Sequence, residues 1–89
     1  MSYRLVLSEQ VKKQIKKMDK HLGLMLAKDL KKQLDGLADP RSKGKALTGD
    51  YKGLWRYRIG RYRVICDLRD DELIILALAV GHRKNIYKT

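Results

Sequence analysis

The chain has 89 residues, of which 21 are Lys or Arg and 10 are Asp or Glu, so its formal net charge at pH 7 is +11. This length suffices for one modest core but not for a buried cofactor site together with a second subdomain, so we expect one domain over residues 1–89 and no cofactor. The positive charge favours a polyanion or an acidic protein as partner, although charge alone is also compatible with a merely soluble basic protein.

Cys66 is the only cysteine, which excludes a disulfide within the chain and fits a reducing cytoplasm. No apolar stretch reaches the roughly 18 residues that a membrane-spanning helix needs, and no apolar block follows a basic start. The sequence also lacks a pair of carboxylates placed for catalysis, a Ser-His-Asp set, a phosphate-binding glycine loop and metal-ligand spacing. We therefore predict a cytoplasmic protein without a membrane or metal partner.

The first half of the chain predicts a short strand followed by two helices. Residues 3–7 form the expected strand, and Ser8 can cap a helix whose apolar residues recur at three- and four-residue steps. A second periodic run follows, with His21 and Gly23 near the predicted corner between the helices and Pro40 as the stop. The apolar positions of the first run are Val11, Ile15, Met18 and Leu22, and those of the second are Leu22, Met25 or Leu26, Leu30, Leu34 and Leu37. The polar, glycine-containing stretch that follows, residues 38–50, predicts one exposed connection.

The second half predicts three antiparallel strands over residues 54–59, 62–69 and 73–80, joined by turns at Gly60 and at residues 70–72. The third strand is too uniformly apolar for one face to be wet along its whole length. The order of elements gives an α+β fold, in which an N-terminal strand and a helical hairpin precede a three-stranded antiparallel meander. The helices should cover one sheet face and leave the other partly open.

Basic residues concentrate in the strand half. Residues 52–63 contain five Lys or Arg and no acid, and the alternation of side chains places Arg56 and Arg58 on the same face of their strand. Antiparallel pairing brings the end of the last strand back beside this segment, so Arg83 should approach Arg56 and Arg63. The lysines of the two helices fall opposite the apolar stripe and predict a solvated surface.

Clustered arginines suit the cleavage of RNA, because the ribose 2′-hydroxyl can attack the adjacent phosphate once a site aligns it and neutralises the developing charge. Arginine stays charged near neutral pH and can direct two donors onto one phosphate. We assign this role to Arg63 and Arg83, with Arg56 holding the adjoining backbone or assisting; the alternative for each is a role in solubility. Further phosphate contacts are expected from Lys45, Lys52, Arg58, Arg61 and Lys84.

Two residues are candidates for moving a proton. Tyr87 can act as a general acid or base or stack on a nucleobase, but a tyrosine so near the end of the sequence can also anchor the chain to the sheet. His82 titrates near physiological pH and can carry a proton, but it can also be a plain surface or packing histidine.

Two segments carry a resemblance to a known family. These are KALTGDYKGLWRYRIGRYRV, residues 45–64, and VGHRKNIY, residues 80–87. With the order strand, helix, helix, three strands, the chain resembles the RelE-type toxins of the RelE/ParE toxin–antitoxin superfamily over nearly its whole length. The resemblance implies a ribosome-dependent mRNA interferase that cleaves messenger RNA in the decoding site through the 2′-hydroxyl. It also implies a RelB-like antitoxin partner, which the basic charge predicts to be acidic and partly disordered.

The resemblance assigns roles residue by residue. Arg63 and Arg83 match phosphate-stabilising arginines of the family, and Tyr87 matches its catalytic tyrosine near the C terminus. Arg56 stands where some members carry a lysine thought to act in proton transfer. Some related toxins use a histidine near the end, so His82 is a second candidate for that role.

Two other functions remain open from the sequence. A ParE-like toxin would share the fold but poison DNA gyrase without cutting RNA. A basic RNA-binding module would bind RNA with a steep salt dependence and leave it intact.

Overall fold

A computed structural model describes residues 1–82, in which two helices pack on one face of a five-stranded mixed sheet. The strand order is β1-β5-β4-β3-β2, and short 3₁₀ turns flank β2. The architecture confirms the predicted α+β fold. The elements are β1 (Arg4–Leu7), α1 (Glu9–Lys17), α2 (Lys20–Leu34), β2 (Lys45–Ala46), β3 (Trp55–Ile59), β4 (Tyr62–Arg69) and β5 (Ile74–His82).

The predicted meander is present, because β3, β4 and β5 pair antiparallel in chain order. The first strand pairs parallel to β5, with Leu7 opposite Ala77. This places β5 between two strands, which explains why its sequence is apolar without a clear alternation. It also continues two residues beyond the predicted end, to His82.

The corner between the helices lies at Met18 and Asp19, so its prediction near His21 and Gly23 was wrong. Asp19 caps α2, and its carboxylate accepts hydrogen bonds from the backbone N–H of His21 at 3.2 Å and of Leu22. Because Asp19 caps the helix, α2 begins at Lys20, before the predicted corner near His21 and Gly23. Gly23 instead lies inside α2 where the helices cross, and a Cβ there would lie 2.8 Å from the carbonyl oxygen of Ile15.

The connection between the halves contains a strand that the sequence did not predict. Lys45 and Ala46 of β2 pair with Arg56 and Trp55 of β3. A two-residue strand is too short to show any alternation, so only its partner identifies it. Residues 38–50 are otherwise mostly exposed, as expected.

The core lies between the helices and one face of the sheet. From the helices it takes Val11, Leu26, Leu30 and Leu34, and from the strands Tyr57, Ile59, Val64, Cys66, Ile75, Ala77 and Val80. Cys66 and Tyr57 are both buried in this core. The helical lysines are exposed, as expected. No helix within residues 1–82 is long and apolar enough to cross a membrane.

Candidate nucleic-acid interface

Three arginines and a lysine share the sheet face that the helices leave uncovered. In β3, Tyr57 and Ile59 point into the core, so the alternating residues Arg56 and Arg58 point to the opposite face. Direct cross-strand partners project to the same side of a sheet. We call this surface, formed by Lys45, Arg56, Arg58 and Arg63, the arginine face.

Like charges lie directly opposite each other on the arginine face. Arg58 pairs with Arg63 across β3 and β4, and Lys45 pairs with Arg56 across β2 and β3. Such pairs destabilise an antiparallel sheet. Within residues 1–82 neither Arg58 nor Arg63 forms an ion pair. The face therefore concentrates positive charge at the expense of stability.

On its other side, Arg63 has no neighbouring side chain from β5. Its partner there is Gly81, which has no side chain. The pairing confirms the prediction that the end of the last strand returns beside residues 61–63. Arg83, Lys84 and Tyr87 lie outside the described residues, so the proposed meeting of Arg83 with Arg63 stays a prediction.

Three acids near the turn after β4 contact arginines outside the arginine face. Arg69 contacts Asp67 at 3.2 Å and Glu72 at 3.6 Å. Arg41 donates two hydrogen bonds to the carboxylate of Asp70, at 3.0 and 3.1 Å. Asp67, Asp70 and Glu72 are thus paired at the far end of β4, away from Arg58 and Arg63.

Arg41 was missed from the sequence, and its role is to hold the loop before β2. Its guanidinium lies 5.9 Å from the centre of the Trp55 ring, a distance at which a cation interacts favourably with an aromatic face. The bonds from Arg41, followed by one from the Tyr3 hydroxyl at 2.6 Å, lower the pKa of Asp70. The sequence offered only one sign of this contact: Asp70 carries the opposite charge to Arg41, but it lies 29 residues away along the chain.

Trp55 and Tyr57 fix the same loop from the sheet. The Trp55 indole N–H donates to the carbonyl oxygen of Lys43 at 2.7 Å, and the Tyr57 hydroxyl donates to that of Pro40 at 2.5 Å. Lys52 lies in the exposed connection that leads into β3.

His82 and Arg61 lie on the helix side of the sheet, not on the arginine face. His82 pairs with Tyr62, and the two rings meet edge to face with centroids 6.1 Å apart. Both line a groove of about 360 Å³ together with Leu22, Met25, Leu26, Asp29, Ile59, Gly60 and Arg61. The structure therefore does not bring His82 to Arg63, although both were predicted to act in one site.

The arrangement can stabilise negative charge but contains no evident base. An arginine keeps its proton near neutral pH, so Arg56, Arg58 and Arg63 can bind phosphate oxygens and balance their charge. They cannot remove a proton from a hydroxyl. Among residues 1–82 no three His, Cys, Asp or Glu side chains lie together as a metal site requires.

Comparisons with known proteins agree on one superfamily. Residues 5–87 match the family described as the ParE toxin of the type II toxin–antitoxin system parDE. A putative RelE-like toxin protein of Escherichia coli is 32% identical over 84 residues, which are 94% of this chain and 86% of that protein.

Solved structures show the same fold. A RelBE toxin–antitoxin complex from Mycobacterium tuberculosis matches with a TM-score of 0.80 at 20% identity, covering 93% of both chains. The isolated RelE toxin of Escherichia coli matches with a TM-score of 0.64 at 22% identity, covering 91% of this chain and 84% of that one. An archaeal RelE–RelB complex from Pyrococcus horikoshii matches with a TM-score of 0.58 at 27% identity, covering 96% and 99%. The family match spans nearly the whole chain, and the chain therefore belongs to the ParE toxin family of type II toxin–antitoxin systems, within the RelE/ParE superfamily.

Proposed function

We propose that this toxin is a ribosome-dependent endoribonuclease that cleaves messenger RNA in the decoding site and thereby inhibits translation. The observation that carries the proposal is the direct opposition of Arg58 and Arg63 on the sheet face that the helices do not cover. A pair of this kind costs folding free energy unless a polyanion neutralises it. The phosphodiester backbone of RNA is such a polyanion, and phosphate contacts are the commonest use of arginine at nucleic-acid interfaces.

In the proposed reaction the ribose 2′-hydroxyl attacks the adjacent phosphorus and the bond to the 5′-oxygen of the next nucleotide breaks. The products are a 2′,3′-cyclic phosphate and a 5′-hydroxyl. One proton leaves the attacking oxygen and one reaches the departing oxygen, so no water or metal is consumed. Arg63 and Arg58 stabilise the charge that develops on the phosphate oxygens.

The proton carriers are assigned by family resemblance. Tyr87 is proposed as the general acid or base, and Arg83 as a further phosphate ligand. Arg56, half-buried on the arginine face, holds the adjoining backbone rather than moving a proton, because a guanidinium stays charged at neutral pH. His82 faces the groove, which makes it a weaker candidate than Tyr87. Lys45 and Lys52 extend the contact with phosphates along the strand.

The test is to add the purified protein to ribosomes that are translating a defined messenger RNA and to map the 5′ ends of the fragments. Cleavage within the codon in the decoding site is expected, and Arg63→Ala should reduce its rate by at least a hundredfold. Lys13→Ala, which removes one charge from the exposed face of α1, is the matched control. Intact messenger RNA with the wild-type protein would reject the proposal.

The matched family supplies a second candidate function, inhibition of DNA gyrase without RNA cleavage. The family that residues 5–87 match is named for the ParE toxin, whereas the relative from Escherichia coli is described as RelE-like. A supercoiling assay with purified gyrase separates the two. Gyrase inhibition by a protein that leaves messenger RNA intact would establish the second candidate, and RNA binding without either activity would indicate a non-catalytic RNA-binding module.

A cognate antitoxin is the proposed protein partner. The family is defined by a toxin–antitoxin system, and the net charge of +11 favours an acidic partner. Leu22 and Met25 are 48% and 50% exposed at the groove beside β3 and β4, which gives a partly disordered segment an apolar surface on which to fold. Co-expression with the product of the neighbouring gene should yield a stable complex.

A further inference from the structure

A β-bulge in β5 decides which residue stands beside Arg63. From Arg69 to Cys66 the strand β4 pairs in one register with Ile74 to Ala77, and from Ile65 to Tyr62 it pairs in a register shifted by one with Ala79 to His82. Leu78 is the extra residue and has no partner in β4. A shift of one residue moves every following side chain to the other face of the sheet.

The bulge exchanges a bulky side chain for a glycine on the arginine face. If the first register continued, Val80 would stand opposite Arg63 and cover its guanidinium. In the observed register Val80 is 2% exposed and packs in the core opposite Val64. Gly81 takes the place beside Arg63. The bulge therefore places a glycine instead of a valine beside Arg63.

The bulged end of β5 depends on α1 for its hydrogen bonds. The strand β1 ends at Leu7, opposite Ala77. Beyond Ala77, β1 therefore no longer pairs with the edge of β5 that faces away from β4. The Gln14 side-chain oxygen accepts a hydrogen bond from the backbone N–H of Val80 at 2.9 Å. The Ser8 hydroxyl donates to the carbonyl oxygen of Leu78 at 3.3 Å.

We propose that Gln14, on the opposite side of the sheet from the arginine face, is a positioning residue that keeps β5 in the bulged register and so leaves Arg63 open to an RNA phosphate. Burying Val80 removes its N–H from water, and an unsatisfied buried N–H is costly. Gln14 supplies that acceptor and so stabilises Val80 in its buried position. The buried position of Val80 in turn places Gly81 beside Arg63. This inference rests on the proposed binding of RNA at the arginine face.

The main test compares a substitution that removes the acceptor with one that keeps it. Gln14→Met has a similar length and no acceptor oxygen, whereas Gln14→Glu keeps an oxygen at the same distance along the side chain. Amide hydrogen exchange at Val80 and the affinity for a short single-stranded RNA are measured for each. We expect Gln14→Met to speed the exchange and to weaken RNA binding about tenfold, as the loss of a buried acceptor implies. Gln14→Glu should stay within about threefold of wild type in both.

Two further variants separate positioning from a general loss of stability. Asp19→Ala removes the side-chain cap of α2 and makes no contact with β5, so it should lower stability without weakening RNA binding. Gly81→Val places a side chain beside Arg63 and should weaken RNA binding even if Gln14→Met does not fold. In an Arg63→Ala background, Gln14→Met should cause no additional loss of RNA affinity.

The outcomes distinguish this inference from the proposed activity. Unchanged RNA affinity in either Gln14→Met or Gly81→Val, or an equal loss in Asp19→Ala, would overturn the role of Gln14. A wild-type protein that binds RNA but does not cut it would remove the proposed cleavage, while the RNA affinities of the variants would still decide the role of Gln14. A wild-type protein that binds no RNA would overturn both.

Discussion

Arg58 and Arg63 stand directly opposite each other on neighbouring antiparallel strands. Since like charges in this position repel, each arginine lowers the stability of the sheet while it raises the positive potential of the arginine face. Stability and binding of a polyanion should therefore change in opposite directions when one of the two is neutralised.

We expect Arg58→Gln to raise the free energy of unfolding by about 0.2–1 kcal/mol and to weaken RNA binding. The first quantity is measured by urea unfolding and the second by titration with RNA at two salt concentrations, where the variant should show a shallower salt dependence. Lys13→Gln removes the same charge from the exposed face of α1 and should change both quantities less. A loss of stability in Arg58→Gln would show that the pair is not repulsive.

The sequence predicted those features that leave a local pattern. The limits of β4 were correct because Gly60 and residues 70–72 mark turns on both sides, and the shared face of Arg56 and Arg58 followed from alternation. The strand β2 was missed because two residues have no periodicity. The bulge at Leu78 could not be predicted, because an apolar run shows no alternation of side chains from which a shift of the pairing register could be detected.

Contacts between distant residues were also beyond the sequence. The bond of Arg41 to Asp70 links the loop before β2 to the turn after β4, and only the folded sheet brings the two together. The orientation of His82 depends on the same bulge, because the shift of one residue turns it to the groove rather than to Arg63.

Asp70 should contribute stability that disappears in acid. Its pKa is lowered by hydrogen bonds from Arg41 and then Tyr3, so the contribution is present above the pKa of the unfolded chain, about 3.9, and is lost as the pH falls through the lower pKa of the folded state. In urea unfolding, Asp70→Asn should be less stable than wild type at pH 6, with a difference that narrows as the pH falls below the pKa of the unfolded chain. The effect should be small because the pair is half exposed.

The neighbouring Asp71→Asn serves as the control for Asp70→Asn. It removes the same charge in the same turn but leaves the bonds from Arg41 and Tyr3 in place. An equal dependence on pH in the two variants would show that the bonds to Asp70 do not cause the effect.

Gly44 is required where β2 approaches β3. Its φ is +76°, and a Cβ there would collide with the carbonyl oxygen of Arg56. Gly49 has a φ of +65° but open space around it. Gly49→Ala should thus lower the free energy of unfolding by about 1–2 kcal/mol, because only the left-handed backbone conformation opposes the new side chain. Gly44→Ala should lower it clearly more. Thermal unfolding of both variants measures the difference, and equal costs would mean that β2 can move away from β3.

Cys66 should be unreactive in the folded protein. It is fully buried, and burial raises the pKa of its thiol to about 12. Only a thiolate reacts with disulfide reagents, so at pH 8 both the lack of access and the low thiolate fraction prevent the reaction. Labelling with a disulfide reagent should proceed only as fast as the protein opens and should accelerate steeply in urea. Rapid labelling without urea would indicate local opening of β4.

The Tyr57 hydroxyl should be worth more to stability than that of Tyr62. It is buried and donates to the carbonyl oxygen of Pro40 at 2.5 Å, whereas the hydroxyl of Tyr62 makes no hydrogen bond among the described residues. Tyr57→Phe leaves that carbonyl without its donor and should lower the free energy of unfolding by about 1–3 kcal/mol, with Tyr62→Phe as the matched control. Similar losses in the two variants would contradict the importance of the Pro40 contact.

Tyr57 should also make the protein sensitive to alkali. Burial raises the pKa of its hydroxyl above the usual range, so its contribution is complete below the pKa of an unfolded tyrosine, about 10, and is lost as the pH rises towards the higher pKa of the folded state. Wild-type stability should therefore fall more steeply above pH 10 than that of Tyr57→Phe. Urea unfolding at pH 8 and at about pH 11 measures the two slopes, and parallel slopes would assign the alkaline sensitivity to other residues.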